Sequence, residues 1–182
     1  MPKTRRNKKY KQKSQKAGSK QYRHGDITNL NEKHNGHNFF RKYGASIVEH
    51  EIAKILKNNP HPNIVKIYNV TDEYIDIEEV TPLSDDMDES NREAIISAAK
   101  SAKKHLQSLN IMYIDWKPDN MGMSDDGKYK LFDFDTSGIT KSNKTSWKIQ
   151  PNHYWSYNQA IDAGRKTPIG IDNFAFSLSF KD

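Results

Sequence analysis

Asp115, Lys117, Asn120 and Asp133 are the side chains whose types and spacing could do chemistry in this 182-residue chain. Residues 111 to 122 follow neither the helical nor the strand period and are dense in polar groups, so they read as a loop. Asp133 stands 13 residues beyond Asn120, inside Leu131-Phe132-Asp133-Phe134-Asp135, where apolar neighbours flank a carboxylate. The chain has no cysteine. That excludes a disulfide framework, a thiolate metal site and a cysteine nucleophile. Chemistry must come from carboxylates, lysines, histidines and hydroxyls. Carboxylate and amide oxygens are hard donors that suit Mg²⁺, and a carboxylate can accept a hydrogen bond from a hydroxyl. A lysine ammonium is a compact point charge.

Tyr113-Ile-Asp115-Trp-Lys117-Pro-Asp-Asn120 followed by Leu131-Phe132-Asp133-Phe134-Asp135 resembles the catalytic loop and metal-binding segment of eukaryotic-type serine/threonine protein kinases. Their patterns are H-R-D-x-K-P-x-N and D-F-G. The resemblance implies Asp115 as the base that orients a substrate hydroxyl and Lys117 as the cation beside the transferring phosphate. It implies Asn120 and Asp133 as ligands of Mg²⁺ (or Mn²⁺) carried with ATP. Lys117 and Pro118 favour a Ser/Thr protein substrate, whose identity the sequence does not give. Upstream, Glu51-Ile-Ala-Lys-Ile-Leu and His61-Pro-Asn-Ile-Val-Lys are similar to helix C and the following strand of such kinases. This implies Glu51 as the helix C glutamate, with Glu49 as its competitor, and Lys42 as its strand partner in preference to Arg41 or Lys33. By distance along the alignment, Ile77-Glu78-Glu79-Val80 takes the place of gatekeeper and hinge, so Glu78 and Val80 would offer backbone groups to adenine. Asp172 falls where helix F braces the catalytic loop.

The sequence also departs from the family pattern. No Gly-x-Gly-x-x-Gly precedes Lys42, Tyr113-Ile114 replaces His-Arg, Asp135 replaces the last glycine of D-F-G, and Gly122 stands where a floor side chain would pack against adenine. The resemblance ends at helix F. The fold it implies is α+β and bilobal, kinase-like, with a reduced N-lobe over about 25–78 and a C-lobe over about 81–182 truncated after helix F. In its brevity it looks like the kinases of large DNA viruses.

The elements that must position these groups can be read from pattern. An Asn35-Gly36 turn precedes a strand over 38–43. Ser46 and Glu49 have capping-box spacing for a helix whose apolar face is Val48, Ile52 and Ile55 and which Asn58-Asn59-Pro60 ends. Ile64–Val70 and Tyr74–Glu78 read as strands, the second turning Ile75 and Ile77 inward and Asp76 and Glu78 outward. Ser90 and Glu93 open a second helix carrying Ile95, Ala99, Ala102, Leu106 and Leu109. Asp126-Gly127 joins two short strands as a hairpin. Residues 137–167 are mostly polar with scattered aromatics, and an apolar run resumes at 169–180.

Composition bounds the alternatives. Residues 1–24 hold ten Lys/Arg and no Asp/Glu, leaving 19 basic against 23 acidic residues beyond them. Such a like-charge block predicts a disordered tail, for nuclear localisation, for contact with nucleic acid or an acidic partner, or simply for solubility. No apolar run approaches the roughly 18 residues of a membrane span. An intracellular location, cytoplasmic or nuclear, or a host cell or virion if the chain is viral, is therefore expected, with no membrane partner. The readings in competition are an active kinase, a pseudokinase scaffold and a nucleic-acid-associated protein. The histidines show no metal-ligand pairing, and Trp147, Trp155 and Tyr157 read as packing before base stacking.

Overall fold

The computed structural model describes residues 33–34, 36–83, 89–152 and 155–180. The basic segment 1–24, Asn35 and most of the acidic connector lie outside them. The described residues form a mixed α and β protein with three three-stranded antiparallel sheets.

Phe39–Tyr43 (β1) forms within the strand expected over 38–43 and is followed by helix α1 at Ile47–Asn58. Ser46 caps that helix through its Oγ, which accepts the Glu49 N–H at 3.2 Å. Val48, Ile52 and Leu56 are its buried stripe, and full burial of Ile52 alone stabilises by about 1.5–3 kcal/mol. Strands β2 (Ile67–Val70) and β3 (Tyr74–Glu78) complete the first sheet in the order β1-β3-β2. Residues 64–66, expected to begin β2, instead bind another part of the chain. Ile64 bridges Leu131, and the Val65 N–H donates to the Leu131 carbonyl at 3.0 Å.

Alternation along β3 misplaces one residue. Asp76 has no exposed surface, because Arg41, opposite it in the register, and His34 cover the face that would otherwise meet water.

Strand β4 is only Thr81–Pro82. Helix α2 (Arg92–Ser108) is entered through a 3₁₀ turn, Glu89–Asn91, and Asn91, directly before it, makes no side-chain cap. Its stripe of Ile95, Ala99, Ala102 and Leu106 is buried as the period requires. Strand β5 (Ile111–Met112) leads into the polar loop. Strands β6 (Met121–Met123) and β7 (Tyr129–Leu131) form the expected hairpin, turning at Gly127 with φ +75°, and β4 adds to its edge. Gly122 permits that addition. A Cβ there would lie 2.6 Å from Val80 Cγ2 and 3.0 Å from the Thr81 carbonyl.

Residues 137–167 do hold elements. Strand β8 (Gly138–Thr140) pairs with β5 and with β9 (Trp147–Ile149), and α3 (Trp155–Asp162) packs on α4 (Pro168–Ser179). Thr167 caps α4. One apolar cluster runs from α1 through α2 and the loop to Phe176 and Phe180. Among the described residues no helix is long and apolar enough to cross a membrane.

Candidate active site

The loop after β5 is held from below by one carboxylate. Asp172 on α4 is fully buried, and its Oδ1 accepts the Tyr113 N–H (3.1 Å), the Ile114 N–H (3.2 Å) and the Trp116 indole N–H (2.7 Å). Gln107 donates to its Oδ2 at 2.7 Å. Burial pushes the Asp172 carboxyl up, and the Gln107, Trp116 and Ile114 bonds pull it back. These bonds fix a strained backbone, for Ile114 sits at φ +70°, where a β-branched residue is an outlier and strain costs about 1–3 kcal/mol. The loop's carbonyls are also satisfied. Ser137 donates to Tyr113 O, Ser156 to Ile114 O and Ser179 to Trp116 O, while Asn120 donates to Asp115 O. Few degrees of freedom remain.

On this frame Asp115 is 7% exposed. Asn120 Nδ2 donates to its Oδ2 at 2.9 Å, and Lys117 Nζ lies 3.4 Å from the same oxygen and 3.3 Å from Asp119 Oδ2. Burial raises the Asp115 carboxyl above its ordinary value against the pull of Asn120 and Lys117. The Tyr113 hydroxyl donates to the Phe132 carbonyl at 2.6 Å, so the loop is tied to the residue before Asp133. Asp133 itself has φ +59°.

Across from the loop, Lys42 Nζ donates to Glu49 Oε1 at 2.7 Å and to Asp133 Oδ1 at 2.8 Å. Burial works to lower the Lys42 pKa, but Glu49 and Asp133 outweigh it and hold the ammonium above its ordinary value. Burial likewise raises the Glu49 carboxyl, with Lys42 opposing and Asp133 and Asp135 adding to the rise. Glu49 Oε2 is buried without a hydrogen-bond partner. Lys42, Glu49, Asp133 and Asp135 form the charged end of a cavity of about 550 Å³. Its remaining walls include Ala53, Val65, Ile75, Ile77, Val80 and Pro82.

A cavity of that size, walled mostly by apolar side chains with Lys42, Glu49, Asp133 and Asp135 on one side and Glu78 and Glu79 also in its lining, suits a small organic ligand with a charged part. Asn120 and Asp133 could supply two oxygens to a divalent cation. Among the described residues no cluster of three or more His, Asp or Glu forms a complete metal cage. The orphaned Glu49 oxygen and the partly exposed Asp133 carboxylate show that negative charge at this end is not fully compensated.

No family model matches the sequence. The serine/threonine-protein kinase ppk6 of Schizosaccharomyces pombe is 30% identical over 112 residues, which cover 54% of this chain and 14% of that protein. A chain of the yeast RNA Pol II CTD kinase CTDK-1 complex superposes with a TM-score of 0.47 at 20% identity, over 57% of this chain and 40% of its own. The similarity is to protein kinases.

The structure brings Lys42 to Asp133 on the cavity and sets Glu78 and Val80 in its wall; Asp115, Lys117 and Asn120 meet one another on the loop, which is tied to Asp133 through Phe132, whose N–H donates to the Asn120 carbonyl at 3.1 Å. Glu51 is not among them. It is exposed on α1 and pairs with Lys54 at 2.9 Å, whereas Glu49 reaches Lys42. The capping box had been taken to occupy Glu49, but Ser46 uses only its backbone N–H, leaving the carboxylate to turn inward. Arg41 points to the opposite face of β1, toward Asp76, and Lys33 is exposed. Val80 fills the space over Gly122 where a floor side chain was expected. Sequence reasoning missed Glu49 as the inner partner, and it missed the three serines that hold the loop. The signal for Glu49 was present: it shares the buried stripe with Val48 and Ile52, and Glu51 does not.

Proposed function

We propose that the chain is a serine/threonine protein kinase that transfers the γ-phosphate of ATP to a protein hydroxyl with Mg²⁺ or Mn²⁺. The first sheet with α1 acts as a reduced N-lobe, and the remainder acts as the C-lobe with α4 in the place of helix F. The observation that carries the reading is the bridge from Lys42 to Glu49 and Asp133 at the charged end of the cavity, made by residues up to 91 positions apart. Such a bridge places a cation where phosphates need one and puts a hard oxygen ligand beside it.

Each side chain then has a task. Asp115 accepts the hydrogen bond of the substrate hydroxyl and orients it for in-line attack, and its raised pKa makes it a better proton acceptor than an ordinary aspartate. Lys117 places its charge beside the transferring group, close to Asp115. Asn120 and Asp133 would hold the metal, which neutralises charge on the phosphates when bound. Lys42 anchors the inner phosphates, and Glu49 fixes its ammonium. The apolar walls take the adenine ring, with the backbone of residues 78–80 along its edge.

The test is transfer of labelled phosphate from ATP to a basic protein substrate with Mg²⁺ or Mn²⁺. Asp115→Asn should cost about 10²- to 10⁴-fold, and Asp133→Asn should abolish metal-dependent transfer. No transfer, together with no thermal stabilisation by Mg-ATP, would turn the assignment to a pseudokinase scaffold.

A further inference from the structure

Lys130 has no task in the phosphoryl-transfer scheme, yet it is a lysine only 7% exposed. A buried ammonium persists only with close partners. Its Nζ lies 2.6 Å from Glu78 Oε1 and 3.6 Å from Asp126 Oδ1. The second Glu78 oxygen accepts the Lys66 N–H at 2.9 Å, and the Glu78 N–H donates to the Lys66 carbonyl at 2.8 Å. Glu78 thus joins the first sheet to β7.

The place of this joint matters. Glu78 ends β3, and Glu79 and Val80 alone carry the chain across to β4, which belongs to the β6-β7 sheet. Residues 78–80 all line the cavity, but 79 and 80 lie in no strand. Three residues beyond Lys130, the same chain segment reaches Asp133 at the cavity's charged end. Besides the backbone bonds of β4 to β6 and of Val65 to Leu131, this ion pair is the side-chain link that ties the wall at 78–80 to the strand that leads to Asp133. Lys42 and Asp133 make the corresponding link at the other end.

We propose that Lys130 is a positioning residue for the nucleotide: through Glu78 it fixes the backbone of residues 78–80 relative to Asp133. The proposal rests on the kinase reading of the cavity. A merely structural ion pair would cost stability when broken and leave ligand affinity alone. A positioning pair changes affinity as well, because the wall no longer waits in its bound geometry.

The experiment measures calorimetric affinity of the full chain for Mg²⁺ with a non-hydrolysable ATP analogue, alongside thermal stability. Lys130→Met should weaken affinity about 3- to 10-fold and raise KM for ATP with kcat within about twofold. Lys130→Arg should restore near-wild-type binding. Glu78→Gln should match Lys130→Met, and the double variant should add little, since both remove one contact. Variants that lose thermal stability but bind the analogue like wild type would overturn the positioning role, as would effects that simply add. Should Lys130→Met fail to fold, Glu78→Gln keeps the shape of the site and carries the same comparison. A wild-type chain that binds no nucleotide overturns the reading of the cavity and the role of Lys130 with it. Wild-type binding with unchanged variants sinks the role of Lys130 alone.

Discussion

Arg41 and Lys42 are neighbours on β1 that face opposite sides of the first sheet, and each meets carboxylates in a different state of completion. Arg41 grips Asp76 with two bonds, at 2.6 and 3.0 Å. His34 adds a third contact to Asp76 at 3.1 Å. The guanidinium also lies over the Tyr74 ring at 4.0 Å. The hydrogen bond and charge of Asp76 hold the guanidinium pKa above its already high value, against the opposing effect of partial burial. Both oxygens of Asp76 are served. Lys42 is one ammonium shared between Glu49 and Asp133, with a Glu49 oxygen buried and unpartnered and the Asp133 side chain 37% exposed. The first face is closed on itself and can only hold the sheet together. The second leaves a carboxyl oxygen unpartnered and a carboxylate partly open beside a cavity, and buried polar groups left unsatisfied are candidates for function.

The sharpest way to break this contrast is to delete each cation in turn. Lys42→Met should reduce phosphate transfer about 10²- to 10³-fold, the usual loss for one fixed charge in the transition state. Arg41→Met should leave transfer per folded molecule close to wild type but cost about 3–5 kcal/mol of stability, because it leaves the buried Asp76 with only its His34 contact. Denaturant unfolding measures the second and initial rates the first. A chain in which Arg41→Met removed activity without unfolding would show that the two faces are not separate in function.

A smaller effect sharpens the active face. Glu49→Gln keeps the shape of the side chain but removes the charge that fixes Lys42, so transfer should fall about tenfold, in the range of one charge-assisted hydrogen bond. Glu51→Gln should leave the rate unchanged, since its partner is Lys54 on the surface. The reverse ranking would restore Glu51 as the partner and imply a rotation of α1.

These two glutamates also show where the sequence was legible. Local periodicity placed β1, α1, the β6-β7 hairpin and the apolar stripe of α2, because each depends on neighbours within a few residues. It assigned Glu49 to a cap because one residue was allowed one job, while backbone and side chain can serve different partners. It turned Asp76 outward because alternation assumes that one face of a sheet meets water, and the cover came from Arg41, 35 residues away. The elements within 137–167 could not be read from pattern for a related reason. Strand β8 pairs with β5, far back in the chain, and Ser137 and Ser156 are polar residues whose hydroxyls face the loop carbonyls rather than solvent. The loop at 113–120 stood out because its polar residues fit neither the helical nor the strand period.

The pH dependence is the subtlest consequence of the same imbalance. Asp115 must be ionised to accept the substrate's hydrogen bond, and burial holds its pKa above the ordinary 3.8. The rate should therefore decline, as pH falls, through a window above that value. The sign for stability is opposite. Asp115, Glu49 and Asp172 all have raised pKa values in the folded state, so protonation favours the fold. Their contribution is complete below the unfolded-state pKa values and is lost as pH rises through the folded ones. Lys42, held above its ordinary value by Glu49 and Asp133 against burial, stays charged across the neutral range and sets no alkaline limb there. Acid should thus silence transfer while these groups still favour the folded chain. Initial rates and far-ultraviolet circular dichroism across the acid range separate the two events. Lys117→Met should push the acid limb to higher pH, because Lys117 lowers the Asp115 pKa through its charge and hydrogen bond. A limb that instead follows the loss of helical signal, and does not move in Lys117→Met, would assign the acid loss to unfolding and remove Asp115 from the role of proton acceptor.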